Sequence, residues 1–381
     1  MKIVVDNAIP FIQGVFEPYF NVVYLPGKEI INSAVIDADA LVVRTRTICN
    51  AQLLEGTAVK MIATATIGTD HIDLEYCKNA GITVSNAAGC NAGGVMQYVF
   101  TALYGVAQKK GIQLPCGVKS CDDLHCSRVS GVVPRIGVIG VGNVGTRVAN
   151  MGEYMGFEVL RCDPAKEREQ TLAFNAGNMH LKDFKPFYSL EYVLENSDII
   201  TLHLNYTKDD YHFLGKEEFK KMKDGVIIIN KMKDGAVFIN SSRGEVVQDE
   251  ALLAHCGKLQ GLILDVWNGE PNLNIALMEK ADIATPHIAG YSYEGKVNGT
   301  VMSVKSIARH FGIEELKEFS IVPQEKNNNF FSKNGLDLNE ISGYFNGIFP
   351  IFEHCADLKD NPQDFEKLRS NFKYRREFYV I

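Results

Sequence analysis

From the first residues, short apolar runs rich in β-branched side chains alternate with longer stretches of mixed polarity. Lys2-Ile3-Val4-Val5, Ala40-Leu41-Val42-Val43, Met61-Ile62-Ala63 and Ile82-Thr83-Val84 recur in the rhythm of a parallel sheet wrapped by helices. An apolar stretch, Val95 through Leu103 with Asn91 as its cap, predicts a helix leading out of this first unit. A second strand series follows: Arg135-Ile136-Gly137-Val138-Ile139, Phe157-Glu158-Val159-Leu160-Arg161-Cys162, Asp198-Ile199-Ile200-Thr201-Leu202, Ala236-Val237-Phe238-Ile239 and Gly261-Leu262-Ile263-Leu264. The pattern predicts an α/β chain with two Rossmann-like domains, each a doubly wound parallel sheet. From about Lys317 the texture changes to the Asn-rich Lys326-Asn327-Asn328-Asn329 and then to an aromatic, charged tail, which predicts a third, smaller α+β element. The expected division is 1–108 completed by about 288–312, then 109–287, then 313–381.

Two stretches interrupt this order. Lys221-Met222-Lys223-Asp224-Gly225-Val226-Ile227-Ile228-Ile229-Asn230 is followed at once by its near copy, Lys231-Met232-Lys233-Asp234-Gly235-Ala236-Val237-Phe238-Ile239-Asn240. Each copy reads as a helix end, a Gly turn and a buried strand. The second is contiguous with Arg243 and is expected to be the strand that delivers it, leaving the first as an extra loop or edge segment. Pro115 through Cys126 holds three Cys and His125, but without the tight Cys-x₂-Cys pairs of structural zinc sites; a surface loop and no metal are expected.

Composition narrows the function. A length of 381 residues suits two domains and an appendage, and 46% hydrophobic with 22% charged residues is ordinary for a folded protein. A net charge of -7 lacks the excess of Lys and Arg that phosphate neutralisation needs, so a small molecule rather than a nucleic acid is the expected partner. Met1-Lys2-Ile3-Val4-Val5-Asp6 is unlike a cleavable signal, and no apolar run approaches the ~20 residues of a membrane span, so no membrane partner and a cytoplasmic location are expected. Nine cysteines, scattered singly in apolar surroundings, suit reduced thiols.

The candidate chemistry lies where strands end. Gly140-Val141-Gly142-Asn143-Val144-Gly145 follows a strand and opens a helix, as a dinucleotide fingerprint requires. Its glycines allow a tight turn and close approach of a pyrophosphate to a helix N-terminus. Asp163 ends the next strand, placed to accept from ribose hydroxyls and to repel a 2′-phosphate, which favours NAD over NADP. Arg243 in Asn240-Ser241-Ser242-Arg243-Gly244 could hold a carboxylate by paired charge-assisted bonds. Further on lie Asp265 and Glu270 in Leu264-Asp265-Val266-Trp267-Asn268-Gly269-Glu270-Pro271, and then His287 in Pro286-His287-Ile288-Ala289-Gly290. Oxidising a secondary alcohol needs a base near neutral pH, and a carboxylate beside an imidazole stabilises the imidazolium that forms; Glu270 is the expected partner of His287.

These three segments resemble the signatures of the D-isomer-specific 2-hydroxyacid dehydrogenases. The resemblance implies that Arg243 binds the substrate carboxylate and carbonyl, that His287 is the acid/base and that Glu270 orients and charges it. It places Gly140, Gly142, Asn143, Val144 and Gly145 at the pyrophosphate of NAD. Leu204, Ser241, Ser242 and Arg243 would lie along the cofactor, with Asp265 and Gly290 at its nicotinamide end.

Val43-Arg44-Thr45, Ala63 through Asp73, Ala88 through Ala92, His287 through Lys296 and the tail segments 365–369 and 375–377 are similar to a narrower branch of that family. The branch acts on a phosphorylated four-carbon 2-hydroxy acid in vitamin B6 synthesis. That similarity implies substrate contacts from Thr45, Thr66 and Tyr291 and a C-terminal element supporting a homodimer. On charge grounds, Arg44 and Arg46 suit the substrate phosphate. Leu204-Asn205 departs from the Thr-Pro of the branch, as do the duplicated decapeptide and the Cys-rich stretch. A phosphoglycerate or hydroxypyruvate dehydrogenase is the alternative enzyme, and an NAD-sensing binding protein the alternative class.

Overall fold

The computed structural model describes residues 1–117, 133–204, 211–215, 233–322 and 326–381. The first series of apolar runs forms one sheet from β1 (Lys2–Asp6), β2 (Asn21–Leu25), β3 (Ala40–Val43), β4 (Met61–Thr64) and β5 (Thr83–Asn86). All pairings are parallel and the order is β2-β1-β3-β4-β5. Alternation along the strands sends Ile3, Val5, Val42 and Ala63 to one face, against Val304, Ile307 and Ala308 of helix Tyr293–Phe311. Val4, Leu41, Val43 and Ile62 point the other way, into a cluster with Val35, Leu53 and Cys77. Both faces are buried, which is why these strands read as unbroken apolar runs. The edge strand β2 is only half-buried and carries a weaker signal, and it was not among the expected strands.

The second series forms a parallel six-stranded sheet of β6 (Arg135–Ile139), β7 (Glu158–Cys162), β8 (Ile199–Leu202), β9 (Val237–Asn240), β10 (Gly261–Leu264) and β11 (Ile283–Ala284), in the order β11-β10-β9-β8-β6-β7. The direction of winding reverses between β6 and β8, the position at which open α/β sheets form a ligand crevice. The second decapeptide copy supplies β9, as expected. The first copy, Asn205 and most of the Cys-rich stretch lie outside the described residues.

The chain divides into Met1–Gly93 with Tyr291–Asn328, and Gly94–Gly290 with Asn329–Ile381. The expected division differs in three places, the first being that residues 313–328, expected in the third element, fall in the first unit. Helix Ala92–Lys110 belongs, beyond its first two residues, to the second unit, because Tyr98 and Tyr104 pack on Phe349 and Phe345 of the tail. Nor do residues 329–381 stand apart. Cys355, Leu358 and Phe365 enter the core of the six-stranded sheet, and a parallel pair, β12 (Phe330–Phe331) and β13 (Tyr379–Val380), closes over an aromatic cluster of Phe331, Phe345 and Phe378. Among the described residues no disulfide forms, and no helix is long and apolar enough to cross a membrane.

Candidate active site

Six parallel strands send their following loops out at one edge of the sheet, so the sequence candidates of the second unit emerge side by side. After β6, Gly140 takes φ +85°, and a Cβ there would come within 2.6 Å of the His203 carbonyl oxygen in the loop after β8. Only glycine combines that φ with that closeness. Gly142 caps helix Asn143–Met155 and faces open space, whereas a Cβ on Gly145 would overlap the Gly140 carbonyl oxygen. The three glycines thus make the turn, leave room for a ligand at the helix N-terminus, and let helix and strand pack closely. Asn143 and Val144 form the first turn, and Leu204 lies half-buried beside Gly140.

Asp163 ends β7. Its Oδ1 caps helix Pro164–Asn175 through the Ala165 and Lys166 amides (3.1 and 3.0 Å), and its Oδ2 accepts from Val141 N at 2.9 Å. The carboxylate therefore fixes the glycine turn; Oδ1 is fully used by the two cap amides, and Oδ2 retains a lone pair for a ribose hydroxyl. After β9 the Ser241 Oγ is buried with no hydrogen-bond partner among the described residues, a polar atom suited to a bound ligand. With the open space at Gly142, it fits a dinucleotide lying along this edge.

The loops after β9, β10 and β11 carry Arg243, Glu270 and His287. Asn240, the last residue of β9, shapes the first loop: its Oδ1 accepts from Ser242 N and its Nδ2 donates to Arg243 O at 3.0 Å. Arg243 Nη1 donates to Ser242 O. A Cβ on Gly244 would fall on the backbone of Trp267 and Asn268, so the loops carrying Arg243 and Glu270 touch backbone to backbone. Glu270 Oε1 accepts from Trp267 N at 3.0 Å, and its Oε2 lies 2.8 Å from His287 Nδ1. Burial works to raise the Glu270 carboxyl, but the His287 and Arg369 charges and the Trp267 amide outweigh it and hold the group below the usual carboxylate range.

His287 stands at φ +56°, the left-handed region, which costs a non-glycine residue about 1–3 kcal/mol. Asp265, 1% exposed, compensates. Its carboxylate accepts from Thr285 Oγ1 and from the amides of Ile288 and Ala289, while its carbonyl accepts from His287 N. Burial raises the Asp265 carboxyl, opposed by the His287 charge and these bonds. Tyr98 Oη to Thr285 Oγ1 (2.8 Å) and Trp267 Nε1 to Thr285 O (3.0 Å) extend the support. Asp265 thus shapes the His287 loop, and Gly290 ends that loop. Asn240, Gly244, Trp267 and Thr285 are the contributors that the sequence reading did not single out. Gly244 and Trp267 stand inside the quoted motifs, but only the fold shows that they touch.

The remaining candidates lie in the first unit. Thr66 Oγ1 bonds Thr64 Oγ1 at 2.6 Å and Gly68 O at 3.2 Å. Arg44 Nη1 donates to Ala8 O, Thr45 and Arg46 are exposed after β3, and the Tyr291 ring lies under Lys296 Nζ at 4.2 Å.

Comparison with known proteins decides the family. Residues 124–231 and 229–289 match the NAD-binding domain of D-isomer-specific 2-hydroxyacid dehydrogenases, the two segments meeting inside the tandem decapeptide. The chain is 39% identical over 388 aligned residues to an erythronate-4-phosphate dehydrogenase of Bacteroides fragilis, covering 99% of this chain and 97% of that one. It belongs to the erythronate-4-phosphate dehydrogenase branch of the D-isomer-specific 2-hydroxyacid dehydrogenase family. A second member of the branch, from Escherichia coli O157:H7, is 35% identical over 394 aligned residues, with 100% and 94% coverage. The Aquifex aeolicus D-lactate dehydrogenase, solved with NAD and lactic acid, superposes with a TM-score of 0.60 at 26% identity, covering 83% of this chain and 97% of that one. For this family the cofactor is NAD, and the crevice at the β6–β8 switch is the edge at which such a domain takes it.

Proposed function

We propose that this chain oxidises 4-phospho-D-erythronate to 2-oxo-3-hydroxy-4-phosphobutanoate, a step in pyridoxal 5′-phosphate synthesis. The observation that carries the reading is the His287 Nδ1–Glu270 Oε2 contact of 2.8 Å, on the loops after β11 and β10, in line with the Arg243 loop after β9. Bound NAD supplies the hydride acceptor for the hydrogen on C2. With Nδ1–H engaged by Glu270, His287 presents Nε2 as the base that takes the C2 hydroxyl proton, and the ionised Glu270 stabilises the resulting imidazolium. Arg243 pairs with the substrate carboxylate and polarises the developing carbonyl. Gly140, Gly142, Asn143, Val144 and Gly145 take the pyrophosphate and Asp163 the adenosine ribose; Leu204, Ser241, Ser242 and Gly290 line the rest of the cofactor, with Asp265 buried behind its nicotinamide end. Thr45, Thr66 and Tyr291 contact the substrate, with Arg44 at its phosphate. The enzyme works as a cytoplasmic homodimer.

Initial rates of NAD reduction with 4-phospho-D-erythronate, D-3-phosphoglycerate, D-glycerate and D-lactate test this reading. The phosphorylated four-carbon acid is expected to give the highest kcat/KM, with His287→Ala inactive but still binding NAD. Equal rates on all four acids, or full turnover in His287→Ala, would sink it.

A further inference from the structure

Arg375 has no part in the chemistry just described, yet it is 7% exposed and reaches the loop that carries the base. Its Nη1 donates to Ile288 O at 3.1 Å, and its Nη2 to Ala289 O at 2.5 Å and to Gly94 O at 2.8 Å. The guanidinium carbon stands 4.0 Å from the centroid of the buried Phe349 ring. On the same two peptides, Asp265 Oδ1 holds the Ile288 amide and Oδ2 the Ala289 amide. The two residues that follow His287 therefore have both N–H groups on a carboxylate and both carbonyls on a guanidinium. His287, one bond earlier, is in the left-handed conformation, which a non-glycine residue keeps only when its surroundings over-determine it. A second tail arginine, Arg369, places Nη1 3.7 Å from Glu270 Oε2, the oxygen that receives His287 Nδ1.

We infer that the C-terminal tail is a working part of the active site, with Arg375 as a positioning residue that locks the His287 backbone and Arg369 as a second hold on the Glu270 carboxylate. The geometry suits arginine specifically. A planar fork spans two successive carbonyls from one side, whereas a lysine ammonium is a point donor on a flexible stem. Acting through His287, Arg375 governs turnover rather than cofactor affinity. The kinetic consequence rests on the proposed dehydrogenase reading; the structural one does not.

The test uses the full chain with Arg375→Lys and Arg375→Ala, and Lys373→Ala as a control at an exposed neighbour. In both Arg375 variants, hydrogen exchange over residues 287–290 is expected to quicken about tenfold or more, with peptides covering β6 and β8 unchanged. kcat is expected to fall by about 10²-fold, the effect of an ångström-scale misplacement, with KM for NAD little changed. Millimolar guanidinium should restore part of kcat to Arg375→Ala and none to Lys373→Ala. An Arg375→Lys chain with unchanged exchange and turnover would overturn the inference, and so would exchange that quickens uniformly over the whole unit. If Arg375→Ala does not fold, Arg375→Lys carries the decision. If the unsubstituted chain turns over none of the acids, the functional reading fails while the exchange comparison still decides the role of Arg375.

Discussion

Gly244→Ala adds one methyl group at the point where the loops bearing Arg243 and Glu270 cross. The new Cβ would lie well inside 3.0 Å of the Trp267 carbonyl carbon and oxygen and of the Asn268 nitrogen. These are backbone atoms, so no side chain can swing away to make room. Non-bonded carbons settle about 3.5–4 Å apart, so one loop must move by ~1 Å or more. Either Arg243 retreats or Trp267 carries Glu270 with it, since the Trp267 amide holds Glu270 Oε1 at 3.0 Å. A misplacement of that size costs ~10²-fold in rate, or ~2.7 kcal/mol of transition-state stabilisation. Overpacking adds about 1–3 kcal/mol of destabilisation, at about 2–4 °C of Tm per kcal/mol. Steady-state kinetics with NAD and 4-phospho-D-erythronate read the first effect and calorimetry the second. Affinity for NAD is expected to fall less than kcat, because the loop that moves carries Ser241 and Ser242 while the glycine turn after β6 is untouched. A variant within roughly twofold of the parent in kcat and unchanged in Tm would show that the two loops are not mutually constrained, and the argument would fail.

Three further outcomes are expected. The Glu270 carboxyl sits below its ordinary range, so its contribution to stability is present above the unfolded pKa of about 4.3 and is lost as pH falls through the folded value; the Tm gap between parent and Glu270→Gln should be full near neutral pH and close toward pH ~3, and a gap independent of pH would refute this. Asp163→Ala removes a helix cap worth ~1 kcal/mol and the acceptor on Val141 N, and should reduce the preference for NAD over NADP; titration of both cofactors by fluorescence checks this, an unchanged ratio counting against it. Deleting residues 221–230 leaves the second decapeptide to supply the Gly235 turn and β9, so kcat should be retained and Tm held or raised by the shorter chain between residues 215 and 233; loss of NAD binding would show that the first copy is needed.

Much of this arrangement is legible before any coordinates, for a specific reason. Strands buried on both faces advertise themselves as apolar runs, and in a parallel sheet the residue after each run lands at the ligand edge. Knowing where β6, β7, β9 and β10 end therefore places the Gly140 turn, Asp163, Arg243 and Glu270 in one row with no knowledge of packing. What escapes is whatever depends on the other half of a contact. The half-buried edge strand β2 lacks a continuous apolar run. Asp265 is expected at the nicotinamide end of the cofactor, and only the fold shows its carboxylate turned inward onto the Ile288 and Ala289 amides.

The boundary between helix Ala92–Lys110 and the tail shows the same limit from the side of stability. The helix follows the first sheet in sequence, so local pattern assigns it there. Its Tyr98 and Tyr104 rings find their partners at Phe349 and Phe345, some 240 residues later, and Tyr98 Oη reaches Thr285 behind Asp265. Such long-range pairs carry no local periodicity, which is why a tail set off by its texture turns out to share a core with the loops of the candidate site. The polar groups on which His287 depends then come from three stretches far apart in the chain: Tyr98 on the helix, Asp265 after β10, and Arg375 near the C-terminus. A histidine in the left-handed backbone conformation is stable only while all of them are in register. Changes in tail packing around Phe349 should therefore register at His287 before they register in the sheet.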